Sequence, residues 1–141
     1  MAENGVDCKT ILVVEDSPTQ ALHVQTLLER EGLSVALARD GRVGLQMAEE
    51  IQPDLIVLDL QMPEMNGLQL CKALKESRDT AGIPVIMFTS HDEHETVVLG
   101  LQLGAIDFIP KDAFADAVLL ETLRQMGIIS RRSVAKSRPY L

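Results

Sequence analysis

Short apolar runs alternate with segments of helical periodicity along this chain, and that alternation limits its fold more than any other feature. Residues 9–14, 55–58 and 84–88 contain almost wholly apolar runs, and weaker runs lie at 33–38 and 106–109. A run that is apolar on both faces is typical of a central strand in a parallel sheet. Five strands that alternate with five helices predict an α/β fold with a parallel sheet.

The strength of each run predicts its place in the sheet. The first, third and fourth strands are the most apolar and should be central, whereas the second is weaker. The fifth ends at Pro110, which lacks an N–H group and favours an edge. These assignments match the flavodoxin-like (βα)5 three-layer sandwich with strand order 2-1-3-4-5. In such sheets, ligands bind beyond the carboxyl ends of the strands.

Polar residues predict where the helices begin. Ser17 and Pro18 are typical of an N-cap and a first helical residue, and Gln20 occupies the capping-box position. The fourth helix is predicted from about Asp92 to Leu103 and the fifth over residues 113–126.

Length and composition predict one globular domain. The 141 residues include 46% hydrophobic residues, enough for a single core. We expect an N-terminal extension at 1–8, a domain at 9–127 and a basic tail at 128–141 that is a disordered end or the stub of a linker. No run is long enough to span a bilayer and the N-terminus does not resemble a signal peptide, so we expect a cytoplasmic protein without a membrane partner.

The charge argues against general affinity for nucleic acid. The net charge is −8, with 21 acidic residues against 13 basic ones, and four of the basic residues lie in residues 131–141. An acidic body does not attract phosphate backbones.

Polar residues follow four of the predicted strands. They are Glu15 and Asp16, then Asp59, Thr89 and Lys111. Each alone is better explained as an ordinary surface residue, but the predicted topology brings all of them to one edge of the sheet. Clustered carboxylates repel one another unless a cation compensates them, and Mg²⁺ suits a few carboxylates with water and phosphate. With a lysine and a hydroxyl nearby, an aspartate there can accept a phosphoryl group.

Four sequence stretches resemble the CheY-like response-regulator receiver domain over about residues 9–127. The most specific is DLQMPEMNG at 59–67, beside ILVVED at 11–16, PVIMFTS at 84–90 and GAIDFIPK at 104–111. The resemblance implies a two-component signalling domain rather than a classical enzyme, with only self-phosphorylation and slow self-dephosphorylation. The implied phosphoryl donor is a sensor histidine kinase or a histidine phosphotransfer protein.

The same resemblance assigns site roles by position. Asp59 matches the phosphoacceptor. Asp16 matches a direct ligand of Mg²⁺ (or Mn²⁺), Glu15 its acidic neighbour, and Gln61 supplies a backbone carbonyl to the metal. Lys111 matches the lysine that contacts the phosphoryl group.

Further matched positions concern switching and hydrolysis. Thr89 matches the hydroxyl that moves toward the phosphoryl group, and Phe108 the aromatic residue that turns inward. Gln61 and His91 match positions that tune hydrolysis, although His91 and His94 could instead hold a metal. The resemblance implies that a downstream target or a second copy docks on the face of helix 4, strand 5 and helix 5. In helix 5, Phe114 and Val118 lie opposite the predicted core face.

Two departures from the family's sequence pattern and several alternative functions stay open. The family usually has Lys-Pro across a cis bond, whereas this chain has Lys111-Asp112, which is either trans or strained; Asp112 could also cap helix 5. Phe108 replaces the commoner tyrosine. A degenerate receiver that binds partners without phosphorylation is the main alternative. A flavin carrier, a phosphohydrolase and a DNA-binding regulator fit the chain less well.

Overall fold

The computed structural model describes residues 8–91 and 93–130, which form a parallel sheet of five strands between two layers of helices. The sheet order is 2-1-3-4-5, as predicted from the sequence. The strands are β1 (Thr10–Val14), β2 (Ser34–Ala38), β3 (Leu55–Leu58), β4 (Val85–Thr89) and β5 (Asp107–Pro110). The helices are α1 (Pro18–Glu29), α2 (Gly41–Ile51), α3 (Gly67–Glu76), α4 (His94–Gln102) and α5 (Ala115–Gln125).

Alternating strand residues divide the core into two clusters. In β1, Leu12 and Val14 face the cluster that contains the buried side chains of α2 and α3. Ile11 and Val13 face the opposite cluster, which contains those of α1 and α5. Both faces of the central strands are therefore covered, and this explains why their sequences are continuously apolar.

Helix starts agree with the sequence only in part. Ser17 caps α1 by accepting a hydrogen bond from the Gln20 amide at 3.4 Å, but the reciprocal half of the predicted capping box is absent because the Ser17 amide donates to Glu15. Phe114, not Asp112, is the N-cap of α5, and Asp112, two residues earlier, accepts from the Phe114 amide. The predicted start of helix 4 at Asp92 lies outside the described residues.

The packed body continues slightly beyond residue 127. Ile129 is buried and Ile128 packs against the α1 and α5 cluster. The predicted N-terminal extension, except residue 8, and the basic residues of the tail lie outside the described part of the chain. Within the described part, every peptide bond is trans, including Lys111–Asp112, and no helix is long and apolar enough to cross a membrane.

Candidate functional site

Backbone hydrogen bonds place three charged residues at the carboxyl edge of the sheet. The Glu15 amide donates to Ala38 O at 2.9 Å, the Asp59 amide to Val14 O at 3.1 Å, and the Lys111 amide to Thr89 O at 2.9 Å. Each bond extends the pairing of two neighbouring strands by one step. The fold therefore fixes these residues through the main chain, although 96 positions separate Glu15 from Lys111.

The Lys111 ammonium group lies between the two buried carboxylates. Its Nζ atom is 2.7 Å from Glu15 Oε1 and 3.0 Å from Asp59 Oδ2, and it also donates to the side-chain oxygen of Gln20. The Lys111 side chain is 16% exposed, against 5% for Glu15 and 10% for Asp59. The same Nζ lies 5.7 Å from the centre of the Phe88 ring. One cation thus compensates two carboxylates that have little access to water.

The environment of Asp59 favours its charged form. Burial opposes ionisation, but the Thr89 hydroxyl, the Lys111 ammonium group and the Leu60 amide together hold the pKa of Asp59 below its usual value. The Leu60 amide donates to Asp59 Oδ1 at 2.6 Å. Asp59 is therefore an available carboxylate nucleophile at neutral pH.

The environment of Glu15, in contrast, disfavours its charged form. Burial raises the pKa of Glu15 above its usual value, and the neighbouring charge of Asp59 adds to this effect, while Lys111 and the Ser17 amide offset only part of it. The two carboxylates at one lysine thus differ in how strongly the fold favours their charge.

One cavity is lined by all four residues that the resemblance assigned to Mg²⁺. Glu15, Asp16, Asp59 and Gln61 all line it, and Asp16 is exposed. These groups offer oxygen atoms, the ligands that Mg²⁺ prefers, and the open side leaves room for the water molecules that Mg²⁺ retains. No ready-made group of three or more metal-ligating His, Cys, Asp or Glu side chains occurs among residues 8–91 and 93–130. The donor set fits a weakly held Mg²⁺ better than a closed structural metal site.

Thr89 and Gln61 contact the Asp59 carboxylate, and His91 contacts both of them. Thr89 is fully buried, and its hydroxyl accepts from the His91 amide at 3.1 Å. His91 Nε2 lies 2.6 Å from Gln61 Oε1, so the loops after β3 and β4 meet over the cavity.

Phe108 lies apart from this cavity, on the side of the sheet that faces α4. Its half-buried ring packs against the core cluster that contains Met87. A Cβ atom added at Gly100 would lie 2.7 Å from Met87 Sδ and at an ordinary contact distance of 3.5 Å from Phe108 Cδ2, so this glycine lets α4 approach Met87 closely beside the ring. Phe114, on the predicted docking face, is 72% exposed. Other large apolar side chains exposed around α4, β5 and α5 are Val98, Leu99, Leu101, Ile106 and Val118.

Gln20 belongs to the site, although the sequence analysis predicted only a helix-capping role for it. It was expected in a capping box, but its side chain reaches Lys111. The sequence signal for this contact was Glu15, whose carboxylate accepts from the Ser17 amide that a capping box requires.

Comparisons with known proteins agree with this geometry. Residues 11–124 match the response regulator receiver domain family. PilH of Pseudomonas aeruginosa is 35% identical over 109 residues, which cover 77% of this chain and 90% of PilH. The alkaline phosphatase synthesis transcriptional regulatory protein PhoP of Bacillus subtilis is 43% identical over 103 residues, which cover 73% of this chain and 42% of PhoP.

Solved structures of receiver domains share the fold. The signal receiver domain of a histidine kinase from Syntrophus aciditrophicus is 40% identical, with a TM-score of 0.78 over 88% of this chain and 94% of that domain. The receiver domain of the sensor histidine kinase PA1611 from Pseudomonas aeruginosa is 26% identical, with a TM-score of 0.76 over 84% of this chain and 96% of that domain, and it has a magnesium ion coordinated in its active-site cleft.

The relatives differ in how much of their length this chain represents. It covers most of PilH but less than half of PhoP and of the DNA-binding response regulator MtrA of Mycolicibacterium smegmatis. The match over residues 11–124, the sheet order and the arrangement of Glu15, Asp59 and Lys111 lead to the same conclusion. This chain belongs to the response regulator receiver domain family.

Proposed function

We propose that Asp59 accepts a phosphoryl group from a phosphohistidine of a sensor kinase or a histidine phosphotransfer protein. The observation that carries this proposal is the buried, ionised Asp59 carboxylate held by Lys111 at the carboxyl edge of the sheet. An Asp59 oxygen attacks phosphorus and forms the P–O bond of an aspartyl phosphate. The P–N bond to the histidine breaks, and the imidazole nitrogen keeps the electron pair.

The transfer also depends on Lys111 and the metal donors, and the later hydrolysis depends on Gln61 and His91. The Lys111 ammonium group is already within hydrogen-bond distance of Asp59, so it can stabilise negative charge that develops on the phosphoryl oxygens. The Mg²⁺ that Glu15, Asp16, Asp59 and the Gln61 carbonyl would hold supplies further charge compensation when bound. Gln61 and His91 meet over the cavity, where they would control the approach of the water that hydrolyses the acyl phosphate.

The proposed output is a change in the surface formed by α4, β5 and α5. Phosphorylation replaces the single negative charge of the Asp59 carboxylate by a phosphoryl group of about −1.5 to −2 charges beside the buried Thr89 hydroxyl. Thr89 turns toward the new oxygens, and Phe108 moves into the vacated space. A downstream partner, or a second copy of the chain, binds the altered surface. The cytoplasmic location stays a prediction.

Intact mass spectrometry tests the acceptor assignment. The parent protein, Asp59→Asn and Asp54→Asn are incubated with Mg²⁺ and acetyl phosphate. Asp54 is a matched control because it is an exposed aspartate at the other end of β3. We expect one added phosphoryl group on the parent and on Asp54→Asn, none on Asp59→Asn, and none with a chelator. A folded parent that binds Mg²⁺ but gains no mass would instead support a degenerate receiver.

The switch assignment requires a second comparison. Thr89→Ala should still accept the phosphoryl group but lose phosphorylation-dependent partner binding, whereas Thr89→Ser should retain both. Intact phospho-dependent binding by Thr89→Ala, measured with the partner or by self-association, would contradict the proposed switch.

A further inference from the structure

Lys111 has a third hydrogen-bond acceptor that neither the metal nor the phosphoryl chemistry explains. A lysine ammonium group has three N–H donors. Two of them meet Glu15 and Asp59, and the third meets the side-chain carbonyl of Gln20 on α1. The Lys111 side chain is 16% exposed and Gln20 is an exposed residue, so the Gln20 contact is the most open to water of the three, and together they use all three donors. The three acceptors therefore define one position for the nitrogen.

The start of α1 makes the Gln20 side chain available for this contact. Gln20 is the third residue of α1, and a glutamine there commonly bonds back to the N-cap amide. In α3, Gln69 stands at the same position and does so, with its Oε1 2.9 Å from the Asn66 amide. In α1, the Ser17 amide already donates to Glu15 Oε2 at 3.2 Å. Gln20 instead extends to Lys111, 91 positions away.

We propose that Gln20 is a positioning residue, which fixes the Lys111 ammonium group for phosphoryl transfer to Asp59; this inference rests on the proposed function. Asp59 changes its charge and shape during the reaction, so it cannot by itself keep Lys111 in place. Gln20 contacts the same ammonium group from α1 and does not react. Its carbonyl is also uncharged, so it holds Lys111 without adding a third carboxylate that would repel the phosphoryl donor.

Three single variants separate positioning from other roles. Gln20→Met removes the acceptor at nearly constant size, and Gln20→Glu keeps an acceptor but adds charge. Gln25→Met is the matched control, because Gln25 is on the same helix and bonds to Glu29 rather than to the site. The first readout is the nuclear magnetic resonance signal of the Lys111 ammonium group, assigned by its loss in Lys111→Met. The second is the rate of phosphorylation by acetyl phosphate in Mg²⁺.

The expected results differ for each variant. Gln20→Met should broaden or lose the Lys111 signal and slow phosphorylation about tenfold, within the roughly hundredfold loss that a displacement of about 1 Å can cause. Gln20→Glu should retain the signal yet react more slowly than the parent. Gln25→Met should match the parent in both measurements.

Two outcomes would overturn the assignment of Gln20. One is a Lys111 signal in Gln20→Met as sharp as in Gln25→Met, and the other is a phosphorylation rate within twofold of that control. Failure of the proposed function has a separate signature, because the parent itself would then gain no phosphoryl group. In that case, the ammonium signal alone decides whether Gln20 positions Lys111.

Discussion

Removal of the Lys111 charge should destabilise the domain because two buried carboxylates lose the cation between them. Lys111→Met keeps an apolar stem beside Phe88 but deletes the group 2.7 Å from Glu15 and 3.0 Å from Asp59. Loss of one partner from a buried ion pair costs about 3–5 kcal/mol. Lys111 retains 16% exposure, so we take the lower end, about 3 kcal/mol. A domain with about 5–15 kcal/mol of stability remains folded after such a loss.

Urea denaturation at pH 7 with a chelator present measures this effect without a divalent cation to replace the ammonium group. With a slope of about 1.5–2 kcal/mol per M, the unfolding midpoint should fall by about 1.5–2 M. Lys72→Met is the matched control because Lys72 makes an exposed pair with Glu76 at 3.7 Å. Pairs of that kind contribute about 0.3–0.5 kcal/mol.

The sign of the stability change that Asp59→Asn causes, in the parent and in Lys111→Met, tests whether the lost charge compensation is the cause. Lys111 and Thr89 lower the pKa of Asp59, so ionised Asp59 stabilises the parent above the unfolded-state pKa of about 3.9. Asp59→Asn should therefore destabilise the parent modestly at pH 7. In Lys111→Met, only the Thr89 hydroxyl and the Leu60 amide still offset the burial of the Asp59 charge. Asp59→Asn should therefore restore about 1–2 kcal/mol of stability in that background. An equal effect of Asp59→Asn in both backgrounds would refute the reasoning, as would Lys111→Met matching Lys72→Met.

Three further changes test other parts of the structure. A Cβ atom at Gly67 would lie 2.4 Å from Asp59 O and 2.7 Å from Leu60 Cα, so Gly67→Ala should lower the free energy of unfolding by about 1–3 kcal/mol; Gly82→Ala, where nothing lies within 4 Å, should not. Asn66→Ala removes the capping box of α3 and should cost about 1 kcal/mol in urea denaturation. Burial raises the pKa of Glu15, so its contribution to stability is present below the unfolded pKa and falls as pH rises through the folded pKa. Glu15→Gln should therefore be more stable than the parent at pH 7, and the thermal midpoints should converge below about pH 4; equal midpoints at pH 7 would contradict this.

Sequence reasoning recovered the fold where burial on both faces makes the signal strong. The third strand was predicted at 55–58 and observed there, because Pro53 and Asp59 bound an uninterrupted apolar run. The fifth strand was predicted one residue early because Ile106 is apolar, yet Ile106 is 49% exposed just before the edge strand begins. At an edge, hydrophobicity no longer distinguishes a strand residue from one that precedes it.

The site was predictable to the extent that the main chain determines it. Strand ends placed Glu15, Asp59 and Lys111 together, and this follows from the topology alone. The role of Gln20 depends on which acceptor the Ser17 amide uses, and therefore on the conformation of Glu15. The capping box forms at Gln69 in α3 but not at the predicted position Gln20, because the Glu15 carboxylate accepts from the N-cap amide at the start of α1.

The loop at Lys111 shows how this chain manages without a proline after the lysine. Pro110 pairs with Thr89 across the sheet edge, and the next amide, that of Lys111, donates to Thr89 O at 2.9 Å. The ring of Pro110 restricts the backbone immediately before the lysine. After it, the Asp112 amide donates to Pro110 O at 3.0 Å, and the Asp112 carboxylate accepts from the Phe114 amide at 2.8 Å. A restricted residue before Lys111 and a hydrogen-bonded turn after it thus direct the ammonium group to the carboxylates through trans peptide bonds.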